Sequence, residues 1–313
     1  MFAAWIIALL LIQPVAAQTD IIVTDGGKMV GVIRPQDVAM PDGGPPLIDS
    51  EKLRTVIAHL AHRVEKRPIN AMISSSGDII PEKKGQTLNQ SDFRTQFSRT
   101  FYSDGLRRVS VPLLATQPRV DGELLGRIRT KQVSSYATRF NSANSSRSYN
   151  IQLASEALNN HVVFPGETFS FNQTVGPRTA AKGYKKAKII VRGEYSEGLG
   201  GGICQVSSTL FNAVDEAGLR VTQRFSHSKR VSYVPPGRDA TVSWYGPDFR
   251  FTNNYNQPIL IRAHAANGWM TLALYSSDVI RINRHPVPSS PRKLPKEKPS
   301  RPKSIHPLFK KLE

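Results

Sequence analysis

The chemistry this chain can offer centres on its only cysteine, Cys204, in the run Gly198-Leu-Gly-Gly-Gly-Ile-Cys204-Gln-Val-Ser-Ser-Thr209. A lone thiol cannot close an intramolecular disulfide, so it is a small buried apolar group, a partner for another chain, or a nucleophile. Its neighbours bear on the choice. Val206, Leu210, Ala213, Val214 and Ala217 recur at helical spacing and Gly218 stops the pattern, which sets Cys204 at a helix N-terminus. Unpaired amides and the positive end of the helix dipole stabilise a thiolate there, drawing its pKa below the ~8.5 of a free thiol. The same amides could hold an oxyanion. Gly200, Gly201 and Gly202 open conformations closed to other residues and let a ligand approach the backbone. With Gln205, Ser207 and Ser208 they are the candidate substrate-binding residues; for Ser207, Ser208 and Thr209 the competing reading is ordinary first-turn helix residues.

A thiol nucleophile needs a base, which acts best when a third group orients it. His227 lies in an alternating run, Val221 to Ser228, that predicts a strand, and Asp239 opens another, Asp239 to Tyr245, beyond the Pro235-Pro236-Gly237 turn. Adjacent strands could bring the two together, which makes Cys204, His227 and Asp239 the candidate catalytic residues. Their chemistry would be acyl transfer: the thiolate attacks an amide or ester carbonyl, His227 hands a proton to the leaving group, and water or an amine resolves the thioester. Against this stand a backbone-bonded histidine at 227, His161 and His264 as unassigned competitors, and a plain turn aspartate at 239. Glu167 reads as an exposed turn carboxylate, and Tyr184, Lys185, Lys186 and Lys188 as a solvated strand edge or a patch for an anionic glycan. No His-x3-His or His-Glu-x-x-His spacing accompanies the cysteine, so neither a metal nor another cofactor is expected. The glycine run lacks the Lys-Ser/Thr of a phosphate loop.

Positioning these residues takes a substantial scaffold. A chain of 313 residues fits two domains plus termini, and 22 Gly with 22 Pro exclude a helical bundle. The expected fold class is α+β. Residues 20 to 130 read as a small α+β unit: two strands around Asp25-Gly26-Gly27, a helix over 51–64 capped by Asp49-Ser50, a strand from Ile69, a helix over 88–101 begun at Asn89 or Ser91, and a strand from Arg108 to Leu114. Residues 134 to 277 read as a mixed domain of helices and antiparallel sheet. Its helix over 147–159 precedes a strand spanning Phe164 to Phe171, with Pro165-Gly166 as the turn.

Residues 2 to 12 are uninterruptedly apolar and small residues follow, which predicts a secretory signal cut after Ala17; an uncleaved membrane anchor is the competing reading. Export would place the protein outside the cytoplasm. The net charge of +18 favours anionic surroundings such as wall polymers or lipid head groups, and export disfavours nucleic acid. Residues 281 to 313 hold ten Lys or Arg against two Glu, with scattered prolines, and read as a disordered basic tail able to touch a membrane surface.

An ordered series of segments runs through the second domain: "SSYATRFNSANSSRSYNIQLASEALNNHVVFPGETFSFNQTVGPRTAAKGYKKAKII", "GGGICQVSSTLFNAVDEAGL", "RFSHSKRVSYVPPGRDATV" and "DFRFTNN". In order and spacing it resembles the VanW family. The stretch "RPINAMISSSGDIIPEKKGQTLNQSDF" is similar to the peptidoglycan-binding-like domain that often precedes VanW domains. The resemblance implies an extracytoplasmic protein linked to cell-wall biology, with peptidoglycan or another anionic wall polymer as partner, but supplies no reaction. Cysteine at a helix start followed by histidine and aspartate also resembles the order used by transglutaminase-like and papain-related enzymes. The functional expectation is therefore a Cys-dependent acyl-transfer or hydrolytic enzyme acting on wall peptide. Its alternatives are a non-catalytic peptidoglycan-binding module and a membrane-tethered scaffold.

Overall fold

The computed structural model describes residues 19–41, 46–191 and 194–293. The signal reading at 1–17 and residues 294–313 of the tail lie outside them. In chain order, strands β1 (Ile21–Asp25) and β2 (Lys28–Ile33) precede helices α1 (Pro35–Val38) and α2 (Ser50–Val64). Strands β3 (Met72–Ile73), β4 (Ile79–Ile80) and β5 (Gly85–Leu88), helix α3 (Gln90–Phe101), strands β6 (Arg108–Ser110) and β7 (Leu113–Thr116) and helix α4 (Gly122–Ile128) follow. Next come β8 (Lys131–Arg139), α5 (Ser145–Leu158), β9 (His161–Val163), β10 (Thr168–Ser170), α6 (Phe171–Val175), β11 (Lys186–Val191) and β12 (Glu194–Leu199). The last elements are α7 (Ile203–Glu216), β13 (Arg220–Gln223), β14 (Arg250–Thr252), β15 (Ile259–Ala266) and β16 (Trp269–Ser276). The fold is α+β, in two compact units: one holds Glu82–Arg119 and the residues up to Asn70, the other Ala71–Pro81 and the residues from Val120 onward. Among the described residues no helix is long and apolar enough to cross a membrane.

In the first unit the helices begin where local chemistry sets them. The Asp49 carboxylate accepts from the amides of Glu51 and Lys52 at 2.9 and 3.2 Å, and Asn89 accepts from that of Asp92 at 3.2 Å, satisfying amides left open at a helix start. Leu53, Ile57, Leu60 and Val64 of α2 and Phe93, Phe97 and Phe101 of α3 share one core with the sheet β2-β1-β6. The single strand expected from Arg108 to Leu114 breaks at Pro112, which has no N–H to give a ladder; β6 pairs with β1 and β7 with β5.

The second unit is built on an antiparallel sheet in the order β8-β16-β15-β9, with α5 packed on β15 and α7 on β8 and β16. A smaller sheet, β10-β14-β13, and the two-stranded pairs β11-β12 and β3-β4 complete it. Segments 71–81 and 120–130 belong to this unit rather than to the first, contrary to the sequence reading. Ala71, Ile73, Val120, Leu125 and Ile128 bury a satellite core with Val162 and Leu260. Asn160, at φ 67°, accepts from the Ile73 amide (3.0 Å) and donates to its carbonyl (3.1 Å), as a neighbouring strand would.

Three further expectations are corrected. The strand foreseen over Phe164 to Phe171 is a turn, where Glu167 accepts from the Phe164 amide at 3.0 Å, followed by the short β10. No strand occurs over residues 224–249, so His227 and Asp239 sit on irregular chain. Residues 281–293, read as the start of a disordered tail, are ordered. Ile282 and Val287 pack on the main core, the His285 amide donates to Glu216 at 3.0 Å, and Tyr136 donates to the Pro288 carbonyl at 2.9 Å.

Candidate active site

Helix α7 begins at a turn only glycines can make. Gly200 and Gly202 have φ of 81° and 109°, the left-handed region where a side chain is strained. A Cβ on Gly201 would lie 2.6 Å from the Lys188 carbonyl oxygen, so strand β11 closes directly over the turn. Asn150, fully buried on α5, locks that contact: its amide donates to the Gly201 carbonyl (3.1 Å) and the Lys185 carbonyl (2.9 Å), and its oxygen accepts from the Lys185 amide (2.8 Å). No side chain caps the first turn of α7, in which Cys204 stands.

Polar side chains on α7 hold the irregular chain opposite. Ser207 donates to the Ala240 carbonyl, and Ser208 accepts from the Ala240 amide at 2.9 Å while donating to Cys204 O at 2.7 Å. One turn on, Asn212 donates to the Arg238 carbonyl at 2.8 Å and accepts from its guanidinium at 2.8 Å. The Arg224 and Arg238 guanidinium groups each stand 4.7 Å from the centre of the Phe211 ring, and Arg224 donates to the Asp239 carbonyl at 2.7 Å. The Thr241 amide donates to the Phe225 carbonyl at 2.8 Å, tying the two irregular segments together.

This clip brings the candidate catalytic residues into one constellation. The Asp239 carboxylate oxygen Oδ2 lies 2.5 Å from His227 Nδ1 and accepts the His227 backbone N–H at 2.7 Å. Both side chains are nearly buried, with 6% of His227 and 10% of Asp239 exposed. With Nδ1 taken, Nε2 is the ring nitrogen left to act on Cys204, and each of the two groups favours the charged form of the other. The sulfur also lies 3.5 Å from the Val242 carbonyl and 3.7 Å from Thr241 Oγ1. Burial alone would push the Cys204 thiol up, but the hydrogen bond and charge of His227, with hydrogen bonds from the Val242 backbone and Thr241, hold it below its ordinary value. Burial pulls His227 down, yet its bonds to Asp239 and Cys204 hold it up at about 9. Burial raises Asp239, and the His227 ring and amide outweigh that and depress it. The shifts of Cys204 and His227 both favour charge, the thiolate on one and the imidazolium on the other, with the Asp239 carboxylate beside the ring.

Cys204 and His227 line a cleft of about 630 Å³. Arg147, Arg178 and Lys188 line it, together with Trp244 and Tyr245, and among the described residues no aspartate or glutamate does. Tyr233 lines it too, its phenol pushed up by burial and therefore protonated at neutral pH. Among the described residues no three His, Cys, Asp or Glu side chains group to hold a metal.

Of the residues expected to bind substrate, Gly200 and Gly202 line the cleft, whereas Gly201 packs against β11. Gln205 borders the cleft, but its polar atoms face inward: the oxygen accepts from Arg147 at 2.7 Å, and the amide donates to Thr138 at 2.9 Å and to the Arg139 carbonyl at 3.0 Å. Ser207 and Ser208 are fully buried and position the Asp239 segment, so all three act on the protein rather than on a ligand. The competing histidines lie elsewhere: His161 on β9, its ring edge to face with Phe169, and His264 on β15. Of the basic run, Tyr184 is buried and Lys188 reaches the cleft. The sequence reading missed Asn150, Thr241 and Arg178; only the Asn-rich start of the Asn144-to-Asn150 helix segment hinted at the first.

Comparison with known proteins adds an independent line. The family described as VanW like protein matches residues 146–275. YoaR of Bacillus subtilis (strain 168) is 54% identical over 288 residues, 92% of this chain and 95% of that protein. The match therefore extends into both compact units. The vancomycin B-type resistance protein VanW of Enterococcus faecalis (strain ATCC 700802 / V583) is 32% identical over 111 residues, 34% of this chain and 40% of that protein. No solved structure matches.

Proposed function

We propose that this chain, which belongs to the VanW-like protein family, is an exported thiol enzyme that transfers or hydrolyses acyl groups of cell-wall peptide. One observation carries the chemistry: Asp239 holds the His227 ring at 2.5 Å on one nitrogen, and His227 lines the same cleft as Cys204, each favouring the charged form of the other. The Cys204 thiolate attacks a carbonyl carbon, forming a C–S bond, and the oxygen that gains the charge meets the uncapped first turn of α7. When the C–N or C–O bond breaks, the His227 imidazolium gives its proton to the leaving amine or alkoxide. Water or an amine then loses a proton to His227 as it attacks the thioester, and the thiolate departs. Asp239 keeps the ring in the tautomer this needs and balances its charge.

The cell wall enters through one relative, named for vancomycin resistance, and through the net charge of +18, which suits anionic wall polymers. The apolar N-terminal run supports export, and the peptidoglycan-binding-like segment in residues 67–93 supports wall attachment, with the basic C-terminal residues as a membrane-surface contact. The test is incubation of the purified protein with peptidoglycan and mass spectrometry of the released or cross-linked peptides. Cys204→Ala and His227→Ala should each lower product formation at least about a thousandfold while leaving wall binding intact. Wild-type protein that binds wall without altering it would make this a binding module, and a Cys204→Ala variant as active as wild type would remove Cys204 as the nucleophile.

A further inference from the structure

The least expected group in the cleft is Arg178. Its side chain is stacked on Phe171, with the guanidinium carbon 5.7 Å from the ring centre, and both terminal nitrogens are buried without a hydrogen-bond partner. A guanidinium carries five N–H donors, and burying them unmatched costs several kcal/mol in general, so such a group persists where a ligand completes it. Asp248 is near enough to act on it by charge, but the oxygens of that carboxylate are occupied by Ser170 at 2.6 Å, the amides of Asn172 and Phe249 at 2.9 Å each, and Arg250 at 3.3 Å. Arg178 also lines the cleft that holds Cys204, and it is packed against the glycine turn: a Cβ on Gly200 would lie 3.0 Å from Arg178 Cγ and 2.9 Å from Ile203, the residue before the cysteine. Among the described residues the cleft offers cations and no acidic side chain.

We infer that Arg178 binds a carboxylate of the acyl substrate, so that the peptides Cys204 attacks are those presenting a free carboxylate in the same cleft. The planar fork of a guanidinium matches a carboxylate through two parallel hydrogen bonds, and in a buried setting it discriminates the acid from the neutral amide. Burial, the leading influence on Arg178, disfavours its charge, and an arriving carboxylate relieves that. The inference rests on Cys204 being the nucleophile and adds a substrate class to it.

Two measurements separate the claims. The first is alkylation of Cys204 by iodoacetate and by iodoacetamide, reagents of similar size that differ in one carboxylate. An unassisted thiolate repels the anionic reagent, so a higher rate with iodoacetate, at least about tenfold over iodoacetamide and saturable, reports a carboxylate site beside the sulfur. Arg178→Gln should reverse that order while iodoacetamide still reacts, and Arg178→Lys, which keeps the charge, should retain it. The second is calorimetry of Cys204→Ala protein with N-acetyl-dialanine as the free acid and as its C-terminal amide. The acid should bind at least about tenfold more tightly, and Arg178→Gln should remove the difference. A reagent preference untouched by Arg178→Gln, or an acid that fails to outbind the amide, overturns the inference. A Cys204 slow with both reagents overturns instead the nucleophile on which it rests, and the calorimetry still decides Arg178.

Discussion

Helices α3 and α7, of 12 and 14 residues, both serve as cores, but with opposite chemistry. Helix α3 buries Phe93, Phe97 and Phe101, neighbouring rings about 6 Å apart, and leaves its polar residues near or at the surface. Helix α7 buries Val206, Leu210 and Val214 and also Gln205, Ser207, Ser208, Thr209 and Asn212, all fully enclosed. Apolar burial is nondirectional and forgiving of small shifts in whatever packs on it. A buried hydroxyl or amide tolerates no such shift, because losing its partner costs about 1–3 kcal/mol. Each of these buried polar residues therefore specifies where something else must be: Gln205 places Arg147, Ser207 and Ser208 place Ala240, Thr209 places Thr138, and Asn212 places Arg238. The first helix stabilises its unit; the second also aims the candidate catalytic constellation.

That contrast can be broken by experiment. Phe97→Ala should lower stability by about 3–5 kcal/mol, the cost of emptying a fully buried ring site, yet leave the Cys204 alkylation rate of the folded protein unchanged. Urea unfolding and alkylation kinetics on one preparation check both, and a changed rate would mean the two cores are not separable in function. His227→Ala acts on the thiol. It removes the hydrogen bond and charge of His227 that lower Cys204 and leaves burial, which raises it, opposed only by Val242 and Thr241, so the pH midpoint of alkylation moves up. At pH 7 the rate should drop about a hundredfold, tracking the thiolate fraction. A midpoint that stays put would show that His227 does not set the thiol.

Ser208→Ala sharpens the comparison further. It should cost about 1–3 kcal/mol by orphaning the Ala240 amide, and it should also slow alkylation, since the Asp239 segment loses an anchor. Lost stability with an unchanged rate would reduce the hydroxyl to ordinary core. The smallest effect belongs to Gly26→Ala, at φ 53° with open space around its Cβ, where only backbone strain of about 1 kcal/mol is expected and no change in thiol chemistry. A thermal melt suffices to measure it.

How much of this was legible in the residues varies with the range of the forces involved. Helices α2 and α3 could be read because their apolar positions repeat every three or four residues and Asp49 and Asn89 cap them within a turn. Cys204 at a helix start was legible for the same reason, as the glycine turn and the periodicity that follows it are local. His227 and Asp239 could be nominated by residue type and order, but the strand expected from Val221 ends at Gln223, short of His227, and none forms at Asp239. Their meeting depends on side chains of α7 that reach across from 26 to 33 positions away in sequence, and no short-range pattern encodes those bonds.

The sequence by itself thus determined the elements whose signals fit inside one or two helical turns, and the kind of nucleophile the protein could offer. Only the tertiary structure decided that Gln205, Ser207 and Ser208 serve the scaffold, that residues 281–293 are ordered, and that Arg178 faces the thiol's cleft with its nitrogens unmatched. The physical reason is that burial and hydrogen-bond satisfaction belong to a place in space, which the chain defines only after segments distant in sequence have packed together.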